Sequence, residues 1–148
     1  MKIESPAFAH NEMIPAKYTC DGENINPQLS ISGVPKEAKS LVLIVDDPDA
    51  SKGLWVHWIA WNISSDTKEI PENSVPSGAR EGMTDSGKPG WRGPCPSSGT
   101  HRYFFKLYAL DAMLGVPIET DKIELEAAMI NHILASTELI GFYQKQRK

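Results

Sequence analysis

Four stretches of the chain gather apolar, β-branched and aromatic residues between clusters of glycine, proline and asparagine. They are 28–32 (QLSIS), 40–46 (SLVLIVD), 54–64 (LWVHWIAWNIS) and 102–110 (RYFFKLYAL). Runs of this length and composition predict strands. In several of them apolar residues follow one another without alternation, the pattern of strands covered on both faces. Long irregular connections between such strands favour a mostly antiparallel β-sandwich over alternating βα units. Side chains alternate across a strand. Leu41, Leu43, Val45 and Asp47 therefore share one face, as do Trp55, His57, Ile59 and Trp61 on the next strand, and His101, Tyr103 and Phe105 on the last, with Arg102 and Phe104 opposite.

The period changes after Asp121. In DKIELEAAMINHILASTELIGFYQK, Met129, Ile133 and Ile140, with Ile130 and Leu134 beside them, recur at helical spacing. The pattern predicts a C-terminal helix from Asp121 onwards. Asp121 caps it, Glu124 completes a capping box, and Gly141 ends or kinks it. His132 falls inside this helix, where a packed or hydrogen-bonded structural histidine is the reading favoured over a functional one.

At 148 residues, with no repeat or low-complexity linker, the chain is expected to form one domain over 1–148. Nineteen acidic against fifteen basic residues give a net charge of −4, which argues against nucleic-acid binding through a broad basic surface. No apolar run approaches the roughly 20 residues of a membrane helix. The opening MKIESPAFAHNEMIPAKY lacks the apolar core of a signal peptide, so a cytoplasmic location is expected. The two cysteines, Cys20 and Cys95, have no CxxC spacing. Two free thiols are favoured over a single bridge, which an oxidising or hot environment would allow.

Segment 77–99, SGAREGMTDSGKPGWRGPCPSSG, is a long loop with six glycines, and its Trp91 and three prolines argue that it is ordered. It leads directly into THRYFF. Asp47, His57 and His101 each stand at a strand end on an apolar face and together would make a small polar cavity in apolar walls. Backbone N–H groups at Gly93 and its neighbours would point at an oxyanion there. The same three side chains are acceptable zinc ligands, but their spacing selects no metal, and neither metal nor cofactor is expected. Asp49 taken alone reads as a turn cap or an arginine partner. A Cys95–His101 nucleophile pair is a competing reading, weakened by the prolines on both sides of Cys95 and the absence of a helix N-terminus. No GxSxG, GxGxxG or P-loop motif is present.

DPDA (47–50), WVHW (55–58) and GPCPSSGTHRYFFKLYALD (93–111), with YTCDGENINPQLS (18–30) before them and EAAMINHILASTELIGFY (126–143) after, resemble the phosphatidylethanolamine-binding protein family. The resemblance is to its bacterial and archaeal branch, the Raf-kinase-inhibitor-like proteins. It implies a β-sandwich of one large and one smaller sheet with short helices, and an anion pocket at one end of the large sheet. Asp47, Asp49, Trp55, His57, Gly93, Pro94, His101, Arg102 and Tyr103 match the family's pocket motifs. The implied ligands are phosphate, phosphoethanolamine head groups, acetate and cacodylate-like anions. The implied role is non-catalytic binding, with a kinase or a serine protease as protein partner and a homodimer as one form. An inhibitory surface loop such as 77–99, or a hydrolase using Cys95 or a histidine base, are the alternatives. The chain departs from the family pattern at Ser51, where proline is usual, and at Arg92, where glycine or serine is common. Arg92 is read either as a pocket-lip cation or as a partner of Asp85.

Overall fold

The computed structural model describes residues 1–146. In chain order the elements are β1 (Lys2–Glu4), β2 (Glu12–Met13), β3 (Leu29–Ser32), β4 (Ser40–Asp47), β5 (Trp55–Ile63), β6 (Glu69–Ile70), β7 (Arg80–Glu81), β8 (Thr100–Leu110), α1 (Lys122–Met129) and β9 (Ile133–Gln144). One 3-10 turn spans Ala16–Tyr18. A six-stranded sheet runs β2-β9-β8-β4-β5-β7, and a three-stranded sheet runs β1-β3-β6. Every pairing is antiparallel except the short β2–β9 contact. This is the mostly-β, two-sheet architecture expected from the patterning.

β4 and β5, inside the large sheet, are buried on both faces, which explains the unbroken apolar run of β4. Leu41, Leu43 and Val45 face the small sheet, packing with Leu29, Ile31, Ile70, Trp58, Phe105 and Leu107. Val42 and Ile44 face the other way, into a second core with Ile59, Trp61, Leu110, Leu125 and Met129. The second core is closed by α1. The capping box is present: Glu124 N donates to Asp121 Oδ1 at 2.9 Å and Asp121 N donates to Glu124 Oε1 at 3.3 Å.

The C-terminal helix expected from Asp121 onwards ends after eight residues, at Met129. Asn131, at φ 68°, takes the left-handed conformation that stops a helix. The chain then enters β9, twelve residues long and paired with β8 from Leu110↔Ile133 to Thr100↔Gln144. The physical reason is non-local. Without β9, the eleven-residue β8 would present a long unpaired edge, and sheet pairing overrides the local helical preference. Gly141 lies in this strand, not at a helix end, and a Cβ there would sit 2.6 Å from Ile14 Cγ1. His132 is in the turn before β9. It is linked to Asp111 Oδ1 through Nδ1 at 2.8 Å, a structural contact on a half-exposed surface.

Cys20 and Cys95 form a disulfide, with Cα atoms 5.5 Å apart, in place of the two free thiols favoured by their number. The fold supplies what the count did not, by bringing together two segments 75 residues apart in sequence. Among the described residues no helix is long and apolar enough to cross a membrane.

Candidate functional site

The last residue of β4 and the first residues of β5 and β8 meet at one end of the large sheet, and loop 77–99 folds back over it. The result is a cleft of about 500 Å³ lined by Asp47, Trp55, His57, Arg92, His101 and Tyr103, with Cys20, Asn24, Ser51, Gly93, Cys95 and Ser97 among its further walls. The convergence of Asp47, His57 and His101 expected from strand alternation is present.

His57 reaches the cleft by a different route from the one alternation suggests. Val45 pairs with Trp58 and Asp46 with Val56, which leaves His57 as an extra residue, a β-bulge. It therefore lies on the same side as Trp58 and Tyr103, with its ring 5.2 Å from that of Tyr103, and not on the Ile59–Trp61 side. Its partner is the lip of the loop. His57 Nδ1 donates to Arg92 O at 2.5 Å, and Arg92 N donates to His57 O at 3.1 Å. This reciprocal pair fixes the tautomer, so Nε2 of the neutral ring is an acceptor. Burial pushes the His57 imidazole below the ordinary histidine range, against the opposing pull of the Arg92 carbonyl and Asp47.

Asp47 is buried and held on both oxygens. Oδ1 accepts from Asp49 N at 2.7 Å, and Oδ2 lies 2.7 Å from His101 Nδ1. The other ring nitrogen of His101, Nε2, faces Ser98 O at 3.1 Å. Both nitrogens of His101 are thus engaged by the protein. The neutral ring donates to one of these acceptors and the charged ring to both, so His101 acts as a brace between β4 and the lip. Tyr103 stacks near His101, with ring centroids 6.4 Å apart, and is 1% exposed. Its hydroxyl is buried and has no hydrogen-bond partner among the described residues. Burial, and then Asp47, push that hydroxyl well above the ordinary tyrosine range, so it remains a donor.

Three of the expected residues stand apart from the cleft wall. Asp49 and Arg102 hold each other on the opposite face of β8. Arg102 Nε donates to Oδ2 at 2.8 Å, Nη2 donates to Oδ1 at 2.9 Å, and the Arg102 backbone N donates to Oδ2 at 2.9 Å. The Arg102 guanidinium holds the Asp49 carboxyl down at about 2. Pro94 uses its carbonyl to accept from Cys20 N at 3.1 Å. Gly93 lines the cleft, but its N–H, expected to point at an oxyanion, donates to Asn24 Oδ1 at 2.8 Å. Glycine is required here because a Cβ would lie 2.3 Å from Tyr18 O.

Loop 77–99 is ordered, as its tryptophan and prolines suggested. Trp91 lies edge-on to Trp58 at 5.7 Å and stacked on Phe105 at 5.9 Å, and its Nε1 donates to Tyr18 O at 3.3 Å. Asp85 accepts from Val56 N at 2.7 Å and forms no ion pair with Arg92, whose exposed side chain stands at the cleft. Cys95, bonded to Cys20, offers no thiolate to a Cys95–His101 pair. Sequence reasoning gave no role in the site to Cys20, Asn24 and Ser98. The one local signal was asparagine at 24, a residue tolerant of the left-handed φ of 58° found there.

The two-sheet sandwich thus carries a His–Asp–Tyr cleft at one end of its large sheet. Residues 4–144 match the family model described as phosphatidylethanolamine-binding protein, and the chain belongs to that family. It is 49% identical over 150 residues to a UPF0098 protein of Methanothermobacter thermautotrophicus, an alignment covering 98% of this chain and 99% of that one. A UPF0098 protein of Pyrococcus horikoshii is 47% identical over 155 residues, covering 99% and 77%. Among solved structures, a phosphatidylethanolamine-binding protein homologue from Chlamydia trachomatis superposes with a TM-score of 0.93 at 44% identity, covering 97% of each chain.

Proposed function

We propose that the chain is a non-catalytic binding protein for small oxyanions, above all phosphate and phosphoester head groups such as phosphoethanolamine. The observation that carries this reading is the Tyr103 hydroxyl, a buried donor without a hydrogen-bond partner among the described residues, in a cleft shared with two imidazoles. A buried polar group left unpaired costs about 1–3 kcal/mol, and an incoming oxyanion recovers that loss. His57 supplies the second contact through Nε2 once the ring is charged. Asp47 and His101 touch each other and the lip, and hold the cleft in shape for a ligand. A protein partner such as a kinase or protease would be engaged through the same chemistry, by an anionic side chain or a phosphorylated residue.

His57 is held below its ordinary value in the free protein, and a bound anion favours the charged ring. Binding should therefore take up a proton, and affinity should rise as pH falls from about 8 to about 6. Calorimetric titration with phosphoethanolamine, in buffers of different ionisation enthalpy, measures both effects. Tyr103→Phe should weaken phosphate binding about tenfold, and His57→Ala should weaken it and abolish the proton uptake. Full affinity in Tyr103→Phe, or a pH-independent affinity, would refute the reading.

A further inference from the structure

Deepening the oxyanion reading, on which it rests, we infer that Arg92 is the residue that makes the cleft select doubly charged phosphate monoesters over singly charged anions. Arg92 is the one lysine or arginine among the residues lining the cleft. Its side chain is exposed, and among the described residues it makes no ion pair. The candidate internal partner, Asp85, is engaged by the Val56 backbone instead.

Its main chain, by contrast, is fixed. The Arg92 peptide is clamped to His57 at both N and O. The next residue is tied to Asn24, the one after it to Cys20, and the one after that is the bridged Cys95. The Cα of Arg92 is therefore held beside the imidazole that would receive the ligand, while the guanidinium remains free to turn toward it. A planar fork of five donors on an anchored stem suits a phosphate dianion, which offers several oxygens to bidentate contact.

The charge balance of the cleft points the same way. Asp47 places a carboxylate inside the cleft, and its oxygens are held by His101 and by the Asp49 peptide. Beside it stand a tyrosine hydroxyl and an imidazole that burial keeps from charging readily. The inner wall can bind one negative charge by hydrogen bonds but has little positive charge with which to hold a second. Arg92 brings a permanent positive charge to the mouth, where the outer oxygens of a phosphate monoester would lie.

The test compares methyl phosphate, a dianion at pH 8, with dimethyl phosphate, a monoanion of the same core shape, by calorimetry on the full chain. The wild-type protein should bind methyl phosphate at least tenfold more tightly. Arg92→Gln should lower methyl phosphate affinity about tenfold, leave dimethyl phosphate affinity within about twofold, and so erase the preference. Arg92→Lys should retain part of it. Tyr103→Phe should weaken both ligands and keep their ratio. Equal losses for both ligands in Arg92→Gln, or no loss for either, would overturn the assignment while leaving the oxyanion site standing. Absence of any binding to the wild-type protein would overturn both.

Discussion

The Cys20–Cys95 bridge closes a loop spanning 75 residues, about half of the chain, and its removal is a direct test of how the cleft lip is held. Chain-entropy reasoning for a closed loop of that length gives about 4.5 kcal/mol, arising mainly from the unfolded ensemble. This is an upper figure, and measured values for natural bridges commonly fall at about 2–4 kcal/mol. Hydrogen bonds across the same seam, Cys20 N to Pro94 O, Gly93 N to Asn24 Oδ1 and Trp91 Nε1 to Tyr18 O, would survive reduction and keep the native state close to its present form. The loss should therefore be chiefly entropic, about 3–4 kcal/mol. For a domain of this size each kcal/mol shifts Tm by about 2–4 °C, so a fall of about 6–16 °C is expected. Both sulfurs belong to exposed residues, so a phosphine reductant reaches them in the native state. Thermal unfolding followed by circular dichroism should give matching transitions for the reduced protein and for the Cys20→Ser, Cys95→Ser double variant, both well below the oxidised protein. A decrease under about 3 °C in both would show that the lip and the 17–24 segment are already fastened without the bond, and the loop-closure argument would fail.

The sheet placement of Gly141 gives a prediction with a definite sign: in an exposed helix Gly→Ala stabilises, whereas here the new Cβ would press on Ile14 and Phe8. Gly141→Ala should cost about 1–3 kcal/mol in urea unfolding, and a gain in stability would refute the strand packing. Asp49 is held at about 2 by Arg102, so its contribution is complete above the unfolded carboxylate value near 4 and disappears as pH falls through about 2. The pair is solvent-accessible, with Asp49 30% exposed, which screens the contribution to about 1 kcal/mol. Asp49→Asn should lower stability by that amount at pH 6 and flatten the stability profile between pH 4 and 2, and an unchanged acid profile would contradict the assignment.

The strand runs at 28–32, 40–46, 54–64 and 102–110 were legible in the sequence and correspond to β3, β4, β5 and β8. In β4 and β5 burial on both sides writes itself as continuous apolar sequence, whereas in β3 and β8 buried residues alternate with exposed or half-buried ones. The capping box at Asp121 was legible because it is a local arrangement of four residues. β9 was not. Ile133, Leu134 and Ile140 continue the helical spacing from Met129, while the strand conformation of 133–144 depends on β8, a partner distant in sequence. The disulfide was missed for the same reason, since two cysteines without a spacing motif say nothing about distance in space. In the site, alternation alone placed Asp47, His101 and Tyr103 correctly and put Arg102 on the opposite face, where it meets Asp49. The family motif had drawn Arg102 and Asp49 into the pocket set, but both lie outside the cleft wall. Alternation failed at His57 because a bulge adds a residue that no composition signal announces.

That bulge makes part of the cleft a matter of counting. The aim of His57 depends on β5 carrying one residue more than β4 opposite Val45 and Asp46. A side-chain replacement at 57 removes an imidazole but leaves the count intact, so substitution scanning will report His57 as an ordinary ligand contact. Deleting a single residue between 56 and 58 would restore a regular ladder and turn one flank of β5 over relative to the other. Either Trp58 and Ala60 would leave the inner core, or Val56 and Trp55 would exchange sides. Single-codon deletions and insertions here should therefore be far more damaging than any point substitution, and the length of β5 between Trp55 and Ile63 should be less free to vary than the identity of most residues within it.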